Sequence, residues 1–123
     1  MKILNCVGGH DVNIYTDCEY NATTRKYTGG KFVTTIPYSG KMLFCKSSTV
    51  NFAEPIGDIP TMPAPAWDSV DEIPEDCDYV IVSAMYITAC KYLGLDTSKL
   101  LTLGSAVVDD SGKVIGCIGL VRN

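Results

Sequence analysis

The most informative stretch of the sequence reads YVIVSAMYITACKYLG and runs from Tyr79 to Gly94. It opens with an aromatic and β-branched run, Tyr79 to Val82, whose lack of polar alternation is typical of a strand covered on both faces. Ser83 can then accept a backbone N–H as a helix N-cap, and Gly94 stands where a helix often ends in a left-handed residue. The stretch therefore predicts a buried strand, a cap and a short helix over residues 84–93, and we expect this unit to form the core.

The predicted helix has an apolar stripe that helps to assign its faces. Four apolar residues fall on one side at helical spacing: Met85, Ala89, Tyr92 and Leu93. We expect this side to pack on the core. That packing would leave three side chains near the helix ends or directed toward a partner: Tyr86, Cys90 and Lys91.

The rest of the chain is rich in β-formers and turn residues. Three turns between β-rich runs predict hairpins: residues 8–11 between 3–6 and 12–15, residues 37–40 between 31–36 and 41–46, and residues 109–112 between 106–108 and 113–120. Gly116 and Gly119 mark bulges or places where something approaches the backbone closely. Prolines crowd the middle of the chain and argue against a helical bundle. We therefore predict an α+β fold, mostly antiparallel β-sheet built from hairpins with one principal short helix, in a single domain covering residues 1–123.

The amino-acid composition indicates the class of protein and excludes some classes of partner. The chain has 123 residues, 46% of them hydrophobic and 20% charged, with a net charge of −4, which is typical of a soluble globular domain. Arg25 and Arg122 are its only arginines, so we expect no nucleic-acid polymer as a partner. No apolar run approaches the roughly 20 residues that span a bilayer, and the first residues do not resemble a signal peptide. These features predict an intracellular protein that does not contact a membrane.

Cysteine and histidine content bears on redox state and on metal binding. There are six cysteines: Cys6, Cys18, Cys45, Cys77, Cys90 and Cys117. Without an export signal we expect them to be free thiols. The cysteines form no Cys-x-x-Cys pair and His10 is the single histidine, so we expect neither a metal site nor a cofactor. His10 follows two glycines, and it serves either as a turn residue or as a hydrogen-bond donor to a ligand.

Four segments resemble a family of small phage- and prophage-encoded proteins: GHDVNIY at residues 9–15, IPYSG at 36–40, YVIVS at 79–83 and DDSGKVIGC at 109–117. Phage proteins of this size include the Thoeris anti-defence sponges. Resemblance to them implies an oligomeric, non-catalytic protein in the cytoplasm of a bacterial host that binds and sequesters a cyclic ADP-ribose type of immune signal. The chain departs from the expected pattern where Val108 replaces an arginine and where Ile118, not a cation, follows Cys117.

This resemblance directs attention to side chains that suit a small nucleotide. Lys91, Lys113 and Arg122 are candidate contacts for phosphates, and Tyr86 is the candidate for stacking on a base. His10 and Ser83 complete the candidate ligand-binding set. We name no catalytic and no metal-binding residue.

Two other functions are compatible with the same residues. One is a structural or partner-binding phage protein that takes no nucleotide. The other is a cysteine-dependent enzyme, which needs a base beside the thiol, and only His10 can supply an imidazole. We expect the binding functions rather than the enzyme, because nothing in the sequence places His10 beside Cys6 or Cys117.

Overall fold

A computed structural model describes residues 1–48, 52–63 and 66–123 of the chain. In chain order the elements are β1 (Ile3–Asn5), β2 (Val12–Thr16), β3 (Glu19–Asn21), β4 (Lys26–Thr28), β5 (Lys31–Ile36), β6 (Cys45–Ser47), β7 (Ala53–Ile56), β8 (Ile59–Thr61), β9 (Trp67–Val70), β10 (Tyr79–Ile81), α1 (Ala84–Tyr92), β11 (Leu100–Leu103), β12 (Ala106–Val108), β13 (Val114–Ile118) and β14 (Leu120–Arg122). The predicted α+β class is confirmed, because strands dominate the described residues and one helix accompanies them.

The unit predicted from residues 79–94 forms as a strand, a cap and a helix. β10 lies between β1 and β11 and pairs in parallel with both, and Val80 and Ile81 are fully buried. Ser83 Oγ accepts a hydrogen bond from the Tyr86 backbone N–H at 3.1 Å, and Gly94 follows the helix with φ of 74°. β14 pairs antiparallel with β11 and completes a four-stranded sheet. The helix thus connects two parallel neighbours, as in a β-α-β unit.

The buried face of α1 differs from the predicted one. Its buried residues are Tyr86, Ile87, Ala89 and Cys90. Met85 and Tyr92, which we expected to face the core, are each 60% exposed. Apolar residues surround most of this helix, so periodicity alone does not identify its covered face. Contacts with β6 and β9 decide which side is buried.

A second sheet has six strands in the order β3-β4-β12-β13-β2-β5. The predicted C-terminal hairpin is confirmed, because β12 pairs antiparallel with β13 and the Asp109 N–H donates to the Lys113 carbonyl at 2.9 Å. A close approach at Gly116 is also confirmed: a Cβ there would collide with the Asn13 carbonyl and the Tyr15 ring.

The other two predicted hairpins are wrong. The strands on either side of residues 8–11 belong to different sheets, since β1 pairs with β10 while β2 pairs with β13 and β5. The strand after residues 37–40 pairs with β9 and not with β5. Turn chemistry specifies a local reversal, but partners distant in sequence decide which strands pair. The two larger sheets are therefore mixed, where we expected mostly antiparallel pairing.

Two short antiparallel ladders come from the proline-rich middle of the chain, β6 with β9 and β7 with β8. One apolar cluster lies between α1 and the four-stranded sheet and includes Val80, Val82, Tyr86, Cys90 and Leu100. A second cluster joins the two larger sheets through Val12, Ile14, Cys117, Leu103 and Leu120. All six cysteines are free thiols, as expected. A cavity lined in part by Val12, Leu103 and Cys117 opens beside the second cluster.

Candidate functional site

The candidate site lies where strands of the four-stranded sheet end. The loop of residues 7–11 follows β1, and Gly104 follows β11. Both strands run parallel to β10, so their carboxyl ends meet at the same edge of the sheet, which is where α/β sheets commonly bind ligands. The β12–β13 hairpin and β2 lie across from this edge.

A cavity of about 290 Å³, named here the His10 cavity, occupies this edge. Its polar lining comes from His10, Asp11 and Asn13. The rest of the lining is largely apolar and includes Leu103, Val114, Ile115 and Cys117. An apolar cavity with a few polar groups is the usual form of a small-molecule site.

Asn5 holds the loop that carries His10. Its side chain is fully buried, and its Nδ2 donates to the His10 carbonyl at 2.9 Å and to the Ile36 carbonyl at 3.3 Å. Its Oδ1 accepts from the Val7 N–H at 3.2 Å. Gly8 has φ of 72°, and a Cβ there would press on the imidazole ring. The loop shape therefore depends on a glycine and on a satisfied buried amide.

Hydrogen bonds define which polar atoms remain available in the His10 cavity. His10 Nδ1 lies 2.8 Å from the Asp11 carbonyl, which can only accept, so Nδ1 carries the proton and Nε2 of the neutral ring is an acceptor. Asp11 Oδ1 accepts from the Tyr38 N–H at 2.8 Å. Asn13 is occupied on both sides, accepting from Thr35 Oγ1 and donating to the Ile115 carbonyl. Within the described ranges, His10 Nε2 and Asp11 Oδ2 have no hydrogen-bond partner.

A second cavity of about 360 Å³, named here the Arg25 groove, adjoins the first. Arg25, Lys26 and Tyr27 line one side, and the β12–β13 hairpin, including Gly112, lines the other. Ala106 and Val114 line both cavities, so the two are neighbours on that hairpin. Over the part of the chain that the structure describes, neither Arg25 nor Lys26 forms a salt bridge. Two cations that have no counter-ion among the described residues thus face one groove of an acidic chain.

Arg25 occupies an unusual backbone conformation. Its φ is 58°, in the left-handed region that non-glycine residues seldom adopt. The turn is held by Asn21, whose Oδ1 accepts from the Thr23 and Thr24 N–H groups and whose carbonyl accepts from the Arg25 N–H at 2.7 Å. These bonds hold Arg25 in a turn position that favours glycine or asparagine.

The structure does not bring the six predicted site residues together. His10 lines its own cavity, and Lys113 is exposed next to Gly112 of the Arg25 groove. Arg122 lies elsewhere, with its guanidinium 5.5 Å from the centre of the Tyr79 ring beside a third cavity of about 230 Å³.

The three predicted site residues on or beside α1 have structural roles or positions. Ser83 caps the helix, and Lys91 is exposed in its last turn, where a cation is favourable. Tyr86 is fully buried and its hydroxyl donates to the Asp71 carbonyl. Burial raises the pKa of Tyr86, and the ring has no open face on which a base could stack.

Sequence reasoning missed Arg25, Lys26 and Tyr27. They lie in a segment that reads as a polar turn, and their proximity to Gly112 comes from the parallel pairing of β4 with β12. One signal could have identified this segment. Arg25 is one of only two arginines in the chain, and it occupies a turn position that favours glycine or asparagine.

Cys117 lines the His10 cavity but is poorly suited to nucleophilic chemistry. It is 4% exposed, its Sγ lies 3.4 Å from the Gly119 carbonyl, and burial raises its pKa. A raised pKa disfavours the thiolate, which is the nucleophilic form. Cys6, the other cysteine considered for catalysis, is also buried and contacts Ser39 Oγ at 3.3 Å.

The described residues offer neither a metal cluster nor a membrane-spanning helix. No group of three or more acidic, cysteine or histidine side chains among them is arranged to hold a metal ion. The helix of the described part is too short to cross a membrane. In comparisons with known proteins, no family model, no curated protein and no solved structure matches this chain.

Proposed function

We propose that this chain is a non-catalytic protein that binds and sequesters a small nucleotide signal of the cyclic ADP-ribose type, as a phage anti-defence sponge would. One observation carries the proposal: two cations that form no salt bridge within the described residues, and an aromatic ring, line a groove that adjoins a polar-rimmed apolar cavity. Phosphate oxygens seek charge-assisted donors, and a sugar or base seeks apolar and aromatic surface. The Arg25 groove and the His10 cavity offer these two environments side by side.

Charge supports placing the phosphates in the Arg25 groove. The protein carries a net charge of −4, so an anion meets general repulsion unless cations are concentrated locally. Arg25 and Lys26 provide that concentration, and their donors are not used in salt bridges within the described residues. Arg25 presents a planar guanidinium that can form two parallel hydrogen bonds with one phosphate.

Size and chemistry support binding without turnover. The volumes of about 290 and 360 Å³ fall near the lower end of the range of about 300–1,000 Å³ for small-molecule sites. The cysteine in the lining is buried and disfavours its thiolate. A sponge needs tight binding and no activated nucleophile, and this lining suits that requirement.

Calorimetric titration with cyclic ADP-ribose isomers tests the proposal. We expect Arg25→Glu to weaken binding by about 10–100-fold, the range for losing a hydrogen bond to a charged group. Lys46→Glu is the matched control, because Lys46 is exposed on β6 and lies outside both cavities. Heat release of the ligand followed by mass analysis should return it unchanged. Absence of binding to wild type, or equal affinity in both variants, contradicts the proposal.

A second candidate function, binding a protein partner, is favoured by the β7–β8 hairpin. Phe52, Ile56 and Ile59 are 75%, 71% and 65% exposed. A two-stranded hairpin is marginally stable by itself, and clustered exposed apolar side chains are typical of an interaction surface. A second copy of this chain is the proposed partner, in keeping with the homo-oligomer that the resemblance implies.

Light scattering coupled to size-exclusion chromatography tests this second candidate. The double variant Ile56→Lys, Ile59→Lys should shift an oligomer toward monomer. Glu54→Lys, an exposed change on β7, should leave the mass unchanged. A monomeric wild-type protein would remove the hairpin from consideration as a self-association surface.

A further inference from the structure

The His10 cavity differs chemically from the Arg25 groove beside it. Its lining is largely apolar, with Leu103 and Ile115 among the walls, and it contains the Asp11 carboxylate. A phosphate placed there would meet a like charge and lose hydration against apolar side chains. The cavity is therefore suited to an uncharged, largely apolar part of a ligand.

Among the described residues, two side-chain acceptors at this cavity, one on His10 and one on Asp11, have no hydrogen-bond partner. His10 Nδ1 donates to the Asp11 carbonyl, so Nε2 is the acceptor of the neutral imidazole. Asp11 Oδ1 is committed to the Tyr38 N–H, which leaves Oδ2 to accept. One N–H of the Asn13 amide donates to the Ile115 carbonyl at 3.1 Å, which leaves its second N–H as a donor in the lining. A ligand that pairs with His10 and Asp11 must bring hydrogen-bond donors.

An amino-bearing heteroaromatic base is a flat, apolar group with hydrogen-bond donors on its edge, so it suits this cavity. The adenine amino group supplies two N–H donors, which matches the number of unpaired acceptors on His10 and Asp11. We propose that the His10 cavity holds the amino-bearing base of the nucleotide whose phosphates lie in the Arg25 groove, and that Asp11 and His10 select the amino group. This assignment rests on the proposed function, and it names the base specificity of the same site.

The assignment predicts discrimination at a single position of the base. Hypoxanthine carries a carbonyl at position 6, where adenine carries the amino group, and a hydrogen on N1, where adenine has an acceptor. At position 6 it would therefore set an acceptor against the acceptors of His10 and Asp11. Leaving such groups unpaired weakens binding by about tenfold or more. The protein should bind ADP at least about tenfold more tightly than IDP. Its affinity for pyrophosphate should not depend on this cavity.

Asp11→Asn tests the role of the carboxylate with little change to the fold. The substituted amide would retain an oxygen for the Tyr38 N–H and would replace the free acceptor by an N–H donor. We expect the ratio of ADP to IDP affinity to fall to about threefold or less, or to invert, while pyrophosphate affinity changes by less than about twofold. Asp58→Asn, an exposed change in the β7–β8 turn, is the matched control and should keep the wild-type ratio.

The outcomes separate this inference from the function on which it rests. Wild-type protein that binds ADP and IDP equally, or an Asp11→Asn variant with the wild-type ratio, overturns the base assignment. If pyrophosphate and ADP still bind and Arg25→Glu still weakens their binding, the nucleotide-binding function stands without the base assignment. If ADP does not bind, the base assignment is overturned. If the cyclic ADP-ribose isomers and pyrophosphate also fail to bind, the proposed function is overturned with it.

Discussion

The unit formed by residues 79–94 and the surface formed by the His10 cavity and the Arg25 groove are built in opposite ways. In the first, Val80, Ile81 and Tyr86 are completely buried, and hydrogen bonds mainly satisfy groups that packing has removed from water. In the second, His10 and Arg25 are exposed, and backbone and amide hydrogen bonds hold otherwise unpacked loops. Burial stabilises the first region, whereas positioning of polar groups defines the second. Stability and binding should therefore respond to different substitutions.

The largest expected effect comes from the core of the helix unit. Tyr86→Ala should lower the free energy of unfolding by about 3–5 kcal/mol, because it removes a fully buried aromatic side chain. Tyr86→Phe keeps the ring and leaves the Asp71 carbonyl without its donor, which should cost about 1–3 kcal/mol. Urea denaturation measures both. If Tyr86→Phe instead lowers ligand affinity and leaves stability unchanged, Tyr86 is part of the binding site.

Asn5 connects the two regions and should affect both readouts. Asn5→Ala removes two hydrogen bonds of a buried amide and leaves the partly buried His10 and Ile36 carbonyls without this donor, which should cost about 1–3 kcal/mol of unfolding free energy. The loose loop should also reduce the preference for ADP over IDP. Denaturation and titration of one preparation measure the two effects. If stability falls and the preference for ADP over IDP is unchanged, Asn5 does not position His10.

Arg25 should show opposite signs for stability and for binding. Arg25→Gly relieves a left-handed backbone strain and should raise the unfolding free energy by about 0.5–1 kcal/mol, the difference between that strain and the added chain entropy. Its affinity for phosphates should fall. Asp17 has a φ of 56° and lies outside both cavities, so Asp17→Gly is the matched control that gains stability and keeps affinity. Thermal unfolding and pyrophosphate titration give the two quantities.

The smallest effect concerns the turn beside the Arg25 groove. Hydrogen bonds from Ser111 and from the Lys113 N–H hold the pKa of Asp109 below its usual value. A depressed carboxyl pKa adds stability that is present above the unfolded-state pKa and is lost as pH falls through the folded-state pKa. Melting temperatures measured from pH 7 down to pH 3 should therefore fall less in Asp109→Asn than in wild type. Parallel curves would show that this turn contributes nothing to the acid sensitivity.

Much of the fold could be predicted where the information is local. The buried strand, the Ser83 cap and the Gly94 end of the helix depend on neighbours within a few residues, and all three are present. The hairpin around residues 109–112 is also local and is confirmed. The hairpins predicted around residues 8–11 and 37–40 failed because strand pairing there depends on partners far along the chain.

The candidate site was less predictable than the fold. His10 was a candidate because it is a single histidine beside two glycines, and it lines a cavity, although its role at a ligand stays a prediction. Arg25 and Lys26 were missed because their groove exists only when β4 pairs with β12 across about eighty residues of sequence. Tyr86 was expected at a ligand because the wrong face of an all-round apolar helix was assigned to the core.

Local sequence was sufficient to specify the class of elements, the reduced cysteines and the strand-cap-helix unit, because propensity, capping and apolar runs act over short distances. Which helix face is covered, which strands pair in parallel and which cations share a groove became clear only in the folded chain. Those features arise from contacts between segments that are distant along the sequence. Since both cavities are formed by such contacts, the surface that we propose for ligand binding is a property of the folded chain and not of any one segment.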